Sequence, residues 1–158
     1  MSSYISRLKE LIERYPYIPT ISNYLAVAYY TTDSNKFDAC VQENYKKHPT
    51  NLFARVHYAN QCMDYNEQEK IPEIFKEGYD LKVLYPHRDR FHISEFIALN
   101  AVMCRYYDTI GERQSAIVRL KALEDIAPEH PATMQAKRCM KETLLEKLHK
   151  KLKQITSC

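Results

Sequence analysis

Residues 96–130 read FIALNAVMCRYYDTIGERQSAIVRLKALEDIAPEH, a segment with the pattern of two helices joined by a tight turn. Gly111 lies between the two halves, where a turn favours a residue that tolerates unusual backbone angles, and Pro128 ends the second half. One face of the second half collects apolar residues at helical spacing, namely Ala116, Leu120, Leu123 and Ile126. The segment therefore predicts a helical hairpin.

Similar helical patterns continue on both sides of this segment. Apolar spacing and breaking prolines predict helices over residues 3–15, 20–32, 36–47, 51–64, 67–79, 94–109 and 132–155. Ser94 is the predicted cap of its helix, and Pro72 makes the first turn of the helix over 67–79 irregular. Residues 80–91 have no helical stripe and are predicted to form a loop. The two glycines are too few for the turns of an all-β protein, so we predict an all-α fold.

Composition and charge limit the class of protein. The chain has 158 residues, of which 45% are apolar and 27% charged, as expected for one soluble globular domain. The net charge of +3 is too small to indicate nucleic-acid binding by itself. No apolar run is long enough to cross a membrane, and charged residues near the N-terminus leave no room for a signal peptide. We therefore expect a cytoplasmic protein whose five cysteines are reduced and serve mainly as small buried residues.

A repeat emerges when the predicted helix ends are aligned. Prolines follow these ends at intervals of roughly 33 to 42 residues, at Pro16, Pro49, Pro86 and Pro128. Small residues recur at the centre of the first helix of each pair, and a larger residue stands three positions later. The small residues are Ala26, Ala59 and Cys104, and the larger ones are Tyr29, Cys62 and Tyr107. A small side chain lets two helices approach closely, and its larger neighbour fills the groove between them.

With these features the chain resembles the tetratricopeptide repeat family, whose period is 34 residues. In residues 96–130, Met103 and Cys104 stand where the family usually has Leu-Gly, and Tyr107 is the aromatic residue one turn on. Gly111 and Glu112 form the turn, and Ala116 takes the small position of the second helix. The resemblance implies a right-handed α–α superhelix within a single domain. Its parts are an N-terminal helix (1–18), three repeats (19–51, 52–96 and 97–130) and a C-terminal capping helix (131–158).

The resemblance also implies a function in protein–protein interaction. In this family the first helix of each pair lines a concave face that binds an extended peptide or a helix of a partner, as in an adaptor or assembly factor. Carried over by register, the partner-binding residues are Asn23, Tyr24, Tyr30, His57, Asn60, Met63, Arg105 and Asp108. Asparagine side chains can hold a peptide backbone, and Arg105 can bind a carboxylate.

Other functions remain open at this point. Related helical repeats read RNA one base per repeat, but the predicted concave face here is not basic. Residues 85–95 form the densest cluster of functional side chains, and they are the candidate for a metal site or a small enzyme site through His87, Asp89, His92 and Glu95. Cys104 paired with a histidine is the candidate nucleophile, although its small packing position favours burial. We expect no catalytic residue, no metal, no cofactor, no membrane contact and no nucleic acid.

The predicted last helix carries a second apolar pattern. Leu145, Leu148, Leu152 and Ile155 follow the 3-4-3 spacing of the apolar seam of a short coiled coil. A helix over residues 132–155 is about 36 Å long at 1.5 Å per residue, which exceeds the hairpin that it would cap. The seam either packs on the repeats of its own chain or pairs with another chain, and we favour a homodimer through this helix.

Overall fold

The computed structural model describes residues 2–76 and 78–141. All regular secondary structure in these two ranges is helical, so the predicted all-α class is confirmed. The chain divides into two compact units, one up to Asp89 and one from Arg90 onward. The boundary falls inside the range 52–96 that was predicted to be the second repeat.

The described part of the first unit has four long helices followed by three short helical segments. The long helices are α1 (Ser2–Arg14), α2 (Pro19–Tyr30), α3 (Ser34–Lys47) and α4 (Leu52–Asp64). A turn of 3-10 helix (Gln68–Lys70) leads into α5 (Ile71–Phe75), and α6 (Leu81–Leu84) is a single turn. Helix α2 packs against α1 and α3, and α4 packs against α2, α3 and α5. Consecutive helices are therefore neighbours in space, as in a series of helical hairpins.

Local sequence explains where these helices begin. Pro19 lies in the first turn of α2, where its missing N–H costs no hydrogen bond. The Asp33 carboxylate caps α3 by accepting a hydrogen bond from the backbone N–H of Lys36 at 3.0 Å. The Asn51 side chain caps α4 in the same way, with the backbone N–H of Ala54 at 3.0 Å. The helices predicted near residues 20–32, 36–47 and 51–64 are confirmed, with small shifts at their ends.

The core of the first unit contains the small residues that were expected between helices. Ala26 in α2 and Ala59 in α4 are both buried. Leu8 of α1 packs with Leu25 and Tyr29 of α2, and partly buried apolar residues close this cluster, namely Ile5, Ile12, Ile21, Ala28, Phe37 and Cys40. Burying a large apolar side chain stabilises a fold by about 1.5–3 kcal/mol, so this cluster holds α1, α2 and α3 together.

Two predictions for the end of the first unit hold only in part. In place of one helix over 67–79, the chain forms the 3-10 turn and the five-residue α5. Pro72 lies in the first turn of α5, and Lys76 ends the helix in a left-handed conformation with φ of 49°. The predicted loop over 80–91 contains α6, because the Asp80 carboxylate caps a helical turn by accepting from the Lys82 N–H at 2.8 Å.

The described part of the second unit contains the hairpin that residues 96–130 predicted. Helix α7 (Ile93–Thr109) packs against α8 (Arg113–Ile126), and Gly111 between them has a φ of +85°, which favours glycine. A further helix, α9, covers residues 131–141. Cys104, Ala116 and Met140 form the core of the three helices, with Tyr107, Leu120 and Ala136 packed around them.

The start of α7 differs from the prediction, which placed the cap at Ser94. His92 is the cap, since its Nδ1 accepts a hydrogen bond from the backbone N–H of Ser94 at 3.2 Å. The Glu95 carboxylate accepts from the His92 N–H at 2.8 Å and completes a capping box. The imidazole thus takes the acceptor role that a serine or aspartate side chain usually has.

The described residues contain no helix that is both long enough and apolar enough to cross a membrane. The predicted coiled-coil seam at Leu145, Leu148, Leu152 and Ile155 lies outside the residues that the structure describes.

Candidate functional site

The outer face of α2 carries a row of exposed apolar side chains. Tyr24, Val27 and Tyr30 are 57%, 61% and 69% exposed, and they recur every three residues along one side of the helix. At 1.5 Å per residue the row is about 9 Å long. At its end, the rings of Tyr30 and Phe37 make an edge-to-face contact, with centroids 5.3 Å apart. We call these three residues the α2 row.

The Asn23 side chain, next to the α2 row, joins two helices. Its Oδ1 accepts a hydrogen bond from Nδ2 of Asn44 in α3 at 2.7 Å. Asn23 is half-buried and Asn44 is buried. Asn23 therefore contributes to the packing of α2 on α3, and the partner-binding role that its register predicted stays a prediction.

The predicted residues of α4 lie on a helix that contacts α2. His57 is half-buried, and burial lowers its pKa, so the imidazole is neutral at neutral pH. Asn60 donates a hydrogen bond to the Val56 carbonyl of its own helix at 3.1 Å. Met63 is 5% exposed, so its side chain offers almost no surface to a partner. Within α4, His57 and Asn60 are thus the predicted residues that still have accessible surface.

The other two predicted residues, Arg105 and Asp108, lie on α7 in the second unit. Arg105 is half-buried. The Asp108 carboxylate forms an ion pair with Arg113 of α8 at 2.6 Å, and the same guanidinium donates to the Met140 carbonyl of α9 at 2.7 Å. Asp108 therefore helps to hold α7, α8 and α9 together. The structure brings Asn23, Tyr24, Tyr30, His57, Asn60 and Met63 into the first unit, and the other two into the second.

A groove of about 420 Å³ between α1 and α3 was missed by the sequence analysis. Ile12 of α1 with Leu25 and Tyr29 of α2 give it apolar walls, and we call it the α1–α3 groove. Ala39 and Cys40 of α3 also line it. These short side chains leave space between helices that larger residues would fill. Two adjacent small residues on a helix face are the one sequence signal that points to such a gap.

The 85–95 segment has several structural contacts. In the first unit, Lys82 Nζ pairs with Asp89 at 2.7 Å, and the Tyr85 hydroxyl donates to the Thr50 carbonyl at 2.7 Å. In the second unit, His92 and Glu95 form the capping box of α7. Among the residues that the structure describes, no three His, Cys, Asp or Glu side chains are grouped closely enough to hold a metal ion. The hydrogen bonds and ion pair account for much of the polar character of the segment.

The candidate nucleophile Cys104 is fully buried in the core of the second unit. Burial raises the pKa of its thiol to about 11. At neutral pH the side chain is therefore the protonated thiol, which is a poor nucleophile compared with the thiolate. Packing explains this cysteine without a chemical role.

The described residues thus define an all-α protein whose helices pack as sequential pairs. Comparison of the chain with protein-family models, with curated proteins and with solved structures gave no match.

Proposed function

We propose that this chain is a protein-binding module, an adaptor or assembly factor, built from tetratricopeptide-like helical pairs. The observation that carries the proposal is the α2 row, in which Tyr24, Val27 and Tyr30 are all more than half exposed. Apolar side chains grouped on a surface mark interaction sites more often than scattered ones do. Tyrosine is also enriched at protein interfaces, because its ring packs against apolar groups while its hydroxyl makes hydrogen bonds.

The packing order of the first unit supports a repeat architecture. Helix α2 pairs with α3, α4 follows on α3, and α2 also contacts α4. In a right-handed superhelix of helical pairs, the first helices of successive pairs are neighbours and together line the concave face. On this proposal α2 and α4 are such first helices, so the α2 row, His57 and Asn60 belong to one binding face for a peptide or helix.

A catalytic role has no support in the chemistry of the described residues. Cys62 and Cys104 are buried thiols whose pKa values are raised by burial, and in the 85–95 segment Asp89, His92 and Glu95 make structural contacts. We therefore propose a function in binding, without metal, cofactor or nucleic acid. The buried thiols of Cys62 and Cys104 suit a reducing compartment, and we propose the cytoplasm.

Site-specific photo-cross-linking in cells tests the proposed face. Benzoylphenylalanine in place of Tyr24 or Tyr30 should give covalent adducts with the same partner protein, identified by mass spectrometry. Tyr4 on α1 is 53% exposed and serves as the matched control, since it offers a similar ring outside the proposed face. Adducts that form equally well from Tyr4, or from none of the three positions, would contradict the proposal.

A further inference from the structure

The α1–α3 groove and the α2 row lie on different sides of one helix. Leu25 and Tyr29 each stand two positions from Val27, and two positions correspond to a rotation of about 200° around an α-helix. Leu25 and Tyr29 line the groove, whereas Val27 is exposed in the α2 row. The groove is therefore a second surface of the first unit, separate from the proposed binding face.

The groove has the composition of a binding site. Its volume of about 420 Å³ is within the range of roughly 300–1,000 Å³ that is usual for ligand pockets. Ile12, Leu25 and Tyr29 supply apolar contact, and charged side chains from α1 and α3 surround it. An apolar surface with a few polar groups favours a ligand that combines an apolar side chain with charges at its ends.

The charges along α1 specify the order of charges on the ligand. On α3 the groove lysines are already paired, Lys36 with Asp33 at 2.6 Å and Lys47 with Glu43 at 2.7 Å. On α1, Lys9 and Glu13 line the groove, and neither forms an ion pair with another described residue. They stand four positions apart, or about 6 Å along the helix. Residues i and i+2 of an extended peptide are about 6.6 Å apart, and residue i+1 between them points to the opposite side. With residue i+1 pointing into the groove, the charged ends of residues i and i+2 can bend back to the exposed Lys9 and Glu13 at its rim.

From this arrangement we propose that the α1–α3 groove binds a short peptide segment of a partner protein in which one apolar residue stands between an acidic and a basic residue. The apolar side chain enters between Ile12, Leu25 and Tyr29. The acidic residue faces Lys9 and the basic residue faces Glu13. With the α2 row on the other side, the first unit holds two segments at once, as an adaptor requires.

The experiment uses the full chain and the blocked peptide Gly-Glu-Leu-Lys-Gly as the probe. Cys40 lines the groove and is half-buried, so a bound peptide should slow its alkylation by N-ethylmaleimide. Mass spectrometry follows Cys40, with the exposed Cys139 of the second unit as the internal control. We expect at least a threefold slower reaction at Cys40 at saturating peptide and an unchanged rate at Cys139. The peptide with Ser in place of Leu should bind about tenfold more weakly, since it lacks the apolar side chain.

A charge-reversal variant tests the orientation of the peptide. Lys9→Glu leaves two carboxylates on the α1 side of the groove, so this variant should bind Gly-Lys-Leu-Lys-Gly about threefold better than Gly-Glu-Leu-Lys-Gly. The wild type should show the opposite preference. Arg7→Glu makes a comparable charge change on the same helix, two positions away and therefore on its other side, and should keep the wild-type preference. Circular dichroism checks that both variants are folded.

Several results would overturn the proposal. They are an unchanged rate at Cys40 with every peptide, equal protection by the Ser peptide, and an unchanged preference in Lys9→Glu. Slower alkylation of Cys40 at higher protein concentration without peptide would instead assign the groove to a second copy of the chain. Each of these results leaves the cross-linking test of the α2 row intact, so the two proposals fail independently.

Discussion

Ala116 lies in the contact between the helices of the second unit. Its side chain on α8 has no exposed surface and packs with Cys104 of α7 and Met140 of α9. A larger side chain here has no free space to enter, so neighbouring side chains or helices must move. The repeat pattern identified this position because the family places a small residue there.

We expect Ala116→Leu to destabilise the protein by roughly 1–3 kcal/mol through overpacking. Urea unfolding followed by circular dichroism measures the change. Lys121→Leu on the same helix is the control, because Lys121 is exposed and its replacement should change stability little. If Ala116→Leu unfolds at the wild-type urea concentration, the assignment of Ala116 to the tight helix–helix contact is wrong.

Burial of Cys104 predicts a dependence of stability on pH. Its pKa is raised to about 11 in the folded chain, whereas an unfolded thiol ionises near pH 8.5. The stability that this thiol contributes is therefore complete below about pH 8 and is lost as the pH rises towards 11. Between pH 8 and pH 10 the wild type should lose about 1–2 kcal/mol more than Cys104→Ala.

Unfolding by urea at pH 8, 9 and 10 gives this comparison. Cys139→Ala removes a thiol from an exposed position and controls for the loss of a cysteine as such. Parallel pH profiles for wild type and Cys104→Ala would show that the buried thiol is not the titrating group.

At the scale of helices, the short α5 depends on an unusual residue at its end. Lys76 adopts the left-handed conformation with φ of 49°, which costs a residue with a Cβ roughly 1–2 kcal/mol relative to the right-handed one. Its backbone N–H is nevertheless used, in a hydrogen bond to the Glu73 carbonyl at 3.2 Å. Glycine adopts this conformation without the Cβ penalty and is the usual residue at such helix ends.

Lys76→Gly should therefore stabilise the protein by roughly 0.5–1 kcal/mol, the net of relieved strain and greater chain entropy in the unfolded state. Lys76→Ala removes the same charge and keeps the Cβ, so it should give no such gain. The two variants are compared by their thermal midpoints, and equal midpoints would mean that the left-handed conformation carries no strain.

Helix positions were largely predictable from the sequence, because apolar spacing and prolines report local preferences. The predictions that differed from the structure also have local causes. The short α5 follows from how Lys76 ends a helix, and α6 follows from the cap at Asp80, whose neighbours show no apolar stripe. The cap of α7 was misplaced because histidine is not among the usual capping residues, although His92 has a ring nitrogen that accepts.

The candidate site was less predictable, because register identifies the face of a helix but not what covers that face. Tyr24 and Tyr30 are exposed as a binding residue must be, whereas Met63 is covered and Asp108 is paired with Arg113. The α1–α3 groove depends on the absence of side-chain volume at Ala39 and Cys40, and it needs three helices in place before it exists. Such features depend on tertiary packing, and the spacing of residues in one helix carries no information about that packing.

At the scale of the whole molecule, the question is whether the protein acts as one copy or two. Helix α9 joins the core of the second unit through Met140, and Arg113 holds the Met140 carbonyl at 2.7 Å. The seam at Leu145, Leu148, Leu152 and Ile155 follows after this anchor in the sequence. Two heptads form a weak coiled coil when isolated, but if residues 132–155 form one helix, as the sequence predicts, the seam does not have to nucleate a helix of its own.

We therefore expect the full chain to form a homodimer through this seam and a chain that ends at Thr143 to be monomeric. Light scattering coupled to size-exclusion chromatography measures both masses. Truncation at Thr143 leaves Met140 and its contacts in place. Helices α7 and α8 should therefore unfold at the same temperature in the shorter chain as in the full chain. The matched control is the full chain with the double substitution Leu148→Glu and Leu152→Glu. This variant introduces charge at the seam without shortening the chain. If the full-length chain has the mass of a monomer at all concentrations, the homodimer prediction is wrong. The seam would then be expected to pack on the repeats of its own chain.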